Sequence, residues 1–142
     1  MSRKPKLQNR MLLVTALLVC AGTQGCGNGL ATVQGKVSLD GKSLEGGNVT
    51  LYPVGRGPLS YSGIASDGSY QIRTASRRGV SPGKYVATVS WRSGVPSSGM
   101  TLQQIQALER VPIRYCVKET SDLQVDVQPG SNSIDLQLVK NK

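Results

Sequence analysis

Residues 82–91 read Pro-Gly-Lys-Tyr-Val-Ala-Thr-Val-Ser-Trp, and their alternation decides the fold class. Tyr85, Ala87, Val89 and Trp91 fall on one side of a period of two, with Val86, Thr88 and Ser90 on the other. Successive side chains of an extended chain point to opposite faces, so the run is a strand with one face turned to a core. The same period continues on both sides. Upstream, Val33, Val37 and Leu39 alternate with Gln34, Lys36 and Ser38, leaving Gly35 in the remaining inward slot. Val49 and Leu51 alternate with Asn48, Thr50 and Tyr52, and Tyr70 and Ile72 with Ser69, Gln71 and Arg73. Downstream, Leu123, Val125 and Val127 alternate with Gln124 and Asp126, and Ile134, Leu136 and Leu138 with Ser133, Asp135 and Gln137.

Turn chemistry separates these runs. Asp40-Gly41, Gly46-Gly47-Asn48, Asp67-Gly68, Pro82-Gly83 and Pro129-Gly130-Ser131-Asn132 supply residues that accept positive φ, or a proline with φ already fixed. A weaker seventh run at residues 60–66 (SYSGIAS) is interrupted by Gly63. Seven short strands with frequent turns predict an all-β domain, a seven-stranded antiparallel β-sandwich of two packed sheets.

Residues 93–122 depart from the pattern. They begin rich in Gly, Ser and Pro, then give Thr101-Leu102-Gln103-Gln104, a capping box, with Leu102, Ile105 and Leu108 at helical spacing. One short helix of two to three turns is expected in a long loop, ended by Val111-Pro112. Such a segment serves either as a plug over the end of the core or as a binding element, and the plug is the expectation.

The amino terminus is an address. Arg3, Lys4, Lys6 and Arg10 precede an apolar stretch at residues 11–21 that is too short to span a bilayer, the pattern of a signal peptide. Thr23-Gln24-Gly25-Cys26 then places a small residue directly before a cysteine, which resembles a bacterial lipobox; the position usually filled by Leu, Val or Ile holds Thr23. Cys26 is the expected lipidation site. Residues 1–25 are read as signal, 26–31 as a short anchor linker and 32–139 as the folded domain.

Composition closes several routes. The 142 residues contain no His, so His-dependent triads and His-containing zinc sites are excluded. Of 17 Lys+Arg against 8 Asp+Glu, four basic residues lie in the signal, and the rest form neither a basic stripe nor an aromatic platform for nucleic acid. Cys116, once Cys20 leaves with the signal and Cys26 carries lipid, has no internal disulfide partner and no His to activate it, so it reads as a half-buried packing residue. Asp40 and Asp67 stand before Gly in turns, Asp126 and Asp135 fall on solvent faces, and no calcium-loop motif is present. Tyr52 and Tyr61, with Trp91 of inward parity beside them in the count of aromatics, are the candidates for sugar contact.

Taken in order, Val33-x-Gly35-x-Val37, Asp40-Gly41-Lys42-x-Leu44-x-Gly46, Val49-Thr50-Leu51-Tyr52-Pro53, Asp67-Gly68-Ser69-Tyr70-x-Ile72 and Pro82-Gly83-Lys84-Tyr85-x-Ala87-x-Val89 resemble the carboxypeptidase regulatory-like module. With Val111-Pro112-x-Arg114-Tyr115 and Pro129-Gly130-x-Asn132 the whole is similar to small secreted lipoproteins of planctomycete bacteria. The resemblance implies a transthyretin-like (prealbumin-like) Greek-key sandwich, with no catalytic residue, metal or cofactor to carry over, because the matched positions are turn formers and core residues. The expectation is a non-enzymatic, lipid-anchored cell-envelope protein, exported across the inner membrane, serving as a structural or protein-interaction module. The alternative is a carbohydrate-binding module acting through Tyr52 and Tyr61. Expected partners are the membrane, through the anchor, and an envelope protein or polysaccharide; nucleic acid is not among them.

Overall fold

The computed structural model describes residues 29–140. Its strand segments are β1 (Thr32–Leu39), β2 (Lys42–Ser43), β3 (Asn48–Pro53), β4 (Ser60–Gly63), β5 (Ser69–Gln71) and β6 (Arg73–Thr74), then β7 (Arg77–Arg78), β8 (Gly83–Ser90), β9 (Gln124–Val127), β10 (Ser131–Ser133) and β11 (Leu136–Leu138). Two helices, α1 (Leu102–Ala107) and α2 (Ile113–Cys116), lie between β8 and β9. Each of the seven alternating runs contains strand, and the all-β expectation holds.

The strands form two sheets. One is antiparallel throughout, in the order β7-β6-β4-β3-β8-β9. The other centres on β1, which pairs antiparallel with β2 and β5 and parallel with β10 and β11. One apolar cluster draws on both: Val33, Val37, Tyr70, Leu136 and Leu138 from the β1 sheet, Val49, Leu51, Ala87, Val89, Val125 and Val127 from the other. These are the inward residues of the alternation, and removing them from water is the main favourable contribution to folding.

The structure corrects four details. The last run lies parallel to β1, not antiparallel: period two fixes which face a side chain takes and is blind to strand direction. That run is also broken in two, stepping at Ile134 and Asp135 where the carbonyl of Ile134 passes over Gly35. The Tyr70–Ile72 run changes sheets, β5 pairing with β1 and β6 with β4. The short segments β2 and β7 have too few residues to show a period.

The 93–122 segment holds two helices, not one. The capping box is present, Thr101 Oγ1 accepting from Gln104 N at 3.3 Å and Gln104 Oε1 accepting from Thr101 N at 2.8 Å. Yet α1 has only six residues, none buried, and Leu102 is 78% exposed. The expected stop at Pro112 instead starts α2, since a proline with φ of −52° suits the entry to a helix better than its interior. Val111 and Tyr115 enter the core, and α2 lies against β8. The second half of the segment is therefore the plug, and the first half lies outside it.

Candidate functional site

Tyr52 and Tyr61 are brought to one face. Tyr61 sits opposite Thr50 in the β3–β4 ladder, so Tyr52, two residues further along β3, is its diagonal neighbour on the same side. Tyr61 is 55% exposed and Tyr52 half-buried. Arg73 of β6 stands opposite Tyr61 on its other side, and the Lys118 ammonium lies 5.8 Å from the centre of the Tyr52 ring. The outer face of the six-stranded sheet thus offers two aromatic rings flanked by cations, a surface on which planar or anionic groups can stack. Trp91 is elsewhere: it packs against the core, with Gly46 and Gly47 close on one side and Arg110 stacked 4.8 Å from its ring centre.

A polar cluster surrounds Cys116. The Glu109 side chain is buried, pairs with Arg92 Nε, and accepts from Trp91 N at 3.2 Å. Burial pushes the Cys116 thiol up to about 12, with the Glu109 carboxylate adding to the effect. A thiol so held is protonated at neutral pH and is a poor nucleophile. Glu109 itself is engaged in tying the 93–110 loop to the end of β8, since Arg110 N also donates to Trp91 O at 2.7 Å.

The outer face of the β1 sheet carries an open polar groove of about 650 Å³. Two rows of side chains cross it: Gln71, Gln34 and Ser133, then Ser69 and Lys36 with Asp135 beyond. Its floor is structural. Tyr70 Oη donates to Ile134 O at 2.5 Å, and Asp135 Oδ1 accepts from Lys36 N at 2.8 Å, which together hold the step between β10 and β11. Burial, then the Asp135 charge, drives the Tyr70 phenol far above its ordinary range. A second cavity of about 310 Å³ lies against β8 and β9, with Tyr85, Val86 and Val125 in its wall and the Lys84–Asp126 pair, 3.4 Å, beside them.

Other acidic residues have local tasks. Asp67 Oδ1 accepts from Ser69 N and Oγ, bonds that hold its carboxyl below the usual range. Asp40 Oδ1 accepts from Lys140 N at 3.0 Å, a contact across the domain that a turn reading does not anticipate. Among the described residues no group of three His, Cys, Asp or Glu side chains is placed to hold a metal ion. The lipidation candidate Cys26 lies outside the described residues. Sequence reasoning missed the Arg92–Glu109 pair, because 17 residues separate two charges in a segment without periodicity.

No family model, no curated protein and no solved structure matches the chain.

Proposed function

We propose that the protein is a non-enzymatic, lipid-anchored cell-envelope protein whose β domain is a structural or protein-interaction module. The observation that carries this reading is the succession from a basic, apolar leader through Gly25-Cys26 to Ala31, five residues later, where the chain is already hydrogen-bonded into the domain. Support comes also from the chemistry-bearing side chains, since Glu109, Tyr70 and Asp135 are each engaged in holding the fold. In its finer form the proposal is a seven-stranded, transthyretin-like Greek key of the carboxypeptidase regulatory-like kind, with β2, β6, β7 and β10 as satellites of the main strands.

Intact mass of the protein recovered from envelopes tests the anchor. The expected mass begins at Cys26 and carries acyl chains; two chains give stable retention where one does not. An unmodified chain cleaved elsewhere would remove the anchor from the proposal. Crosslinking and pull-down from intact envelopes, with a partner recovered at reproducible stoichiometry, tests the interaction role.

The placement of Tyr52 and Tyr61 on one outward face favours a second reading, carbohydrate binding. Saturable retention on a polysaccharide affinity gel, abolished by Tyr61→Ala, supports it; unchanged mobility on every gel leaves the first reading.

A further inference from the structure

The β6–β7 hairpin concentrates unpaired positive charge beside the point where the amino terminus enters the domain. Thr74 stands opposite Arg77, Arg73 bridges to Gly79, and Arg73, Arg77 and Arg78 are all exposed. The ion pairs between described residues, Lys84–Asp126 and Arg92–Glu109, involve none of the three. The turn itself is made with Ala75 at a φ of 52°, a conformation that a residue with a Cβ adopts at some cost.

The chain entry is fixed next to this hairpin. Ala31 N donates to Val80 O at 2.7 Å and Val80 N to Ala31 O at 2.8 Å, two residues beyond Arg78. Gly79 is pressed so closely on the entering strand that a Cβ there would lie 2.7 Å from Ala31 O. Whatever the path of the linker, five residues span at most about 18 Å, so Cys26 is tethered within that reach of Ala31, which is bonded to Val80 two residues beyond Arg78.

We infer that Arg73, Arg77 and Arg78 form a contact surface for the anionic phospholipid headgroups of the membrane in which the chain is anchored, so that the hairpin edge of the domain rests on the bilayer. The inference builds on the lipid-anchor reading above. Guanidinium groups suit phosphate because their planar donors can bind two oxygens at once. The surface charge supplies the second membrane signal that reinforces acyl chains. Each arginine near an anionic surface contributes about 5-fold in partitioning, so the three together contribute about 100-fold at low salt.

The test compares partitioning of the envelope-purified protein onto phosphatidylglycerol-containing and pure phosphatidylcholine vesicles, after intact mass has established whether acyl chains are present. The ratio of the two partition coefficients cancels the acyl contribution. The expected ratio falls by about 30-fold in Arg77→Gln/Arg78→Gln, and by less than about 2-fold in Lys36→Gln/Lys42→Gln, which removes the same charge from the other sheet. Equal losses in both double variants, or none in either, would overturn the inference. So would tighter binding of the hairpin to soluble polygalacturonate than to the vesicles. Unchanged partitioning with new self-association would assign the arginines to blunting a sheet edge instead. A hairpin-dependent ratio in a protein without acyl mass would sustain this surface while removing the anchor reading, so the two fail separately.

Discussion

Gly35 occupies an inward slot of β1 where any Cβ would sit 1.9 Å from Ile134 O. The absent side chain lets the last strand step across β1, and Gly35→Ala is expected to cost about 2–4 kcal/mol, read as a lowered urea midpoint. Gly63, with open space at its Cβ position, is the control: Gly63→Ala is expected to change stability by less than about 1 kcal/mol. Tyr70 supports the same step through its hydroxyl, and Tyr70→Phe leaves the Ile134 carbonyl short of a donor, a loss of about 1–2 kcal/mol. Tyr70 and Cys116 also set a pH response. Both hold their protons more tightly folded than at their ordinary values of 10.0 and 9.0, so their contribution is complete below pH 9 and is lost as pH rises through the folded values. Urea midpoints are expected to be level to pH 9 and to fall above it, less steeply in Tyr70→Phe. At pH 8 the native Cys116 thiol should react with a disulfide reagent at least about 100-fold more slowly than in the urea-unfolded chain, in keeping with its suppressed thiolate. A native rate equal to the unfolded one would show the thiol to be open to solvent.

The helices show how little a local signal says about its weight in the fold. The Thr101 capping box was legible because its two partners are three residues apart, and it is formed. But α1 buries nothing, so Thr101→Ala should fray α1 and speed its amide exchange while shifting the global midpoint by less than about 0.5 kcal/mol, although a cap alone is worth about 1 kcal/mol. In α2 the order is reversed. Four residues give no readable period, yet Tyr115 is 2% exposed, its hydroxyl accepting from Val139 N at 3.2 Å. Tyr115→Ala is expected to cost about 3–5 kcal/mol by opening a cavity between the plug and β8. If calorimetry ranked Thr101→Ala above Tyr115→Ala, the division of the 93–122 segment into an outer and a plugging half would be wrong.

At the scale of the molecule, the domain is closed by its two ends. β1 is the first long strand and β10 with β11 the last, and their parallel pairing joins residues about a hundred positions apart. A chain ending after Gly130 would lose Leu136 and Leu138 from the core and leave β1 unpaired on one side; it should give no cooperative unfolding transition by circular dichroism. The alternation at Val33, Val49, Tyr85, Val125 and Leu136 by itself determined that the fold is all-β and which apolar strand residues face the core, because a strand's faces follow from period two alone. The signal-like leader, Cys26 and the lack of histidine are likewise matters of sequence, legible without any fold. Strand direction, the change of sheet after Gln71, the second helix and the meeting of Arg92 with Glu109 were decided only by the tertiary structure. So was the placement of Arg73 and Arg78 beside Ala31. Each of these depends on hydrogen bonds and close approaches between distant residues, and no local repeat encodes which distant segment a backbone group will meet.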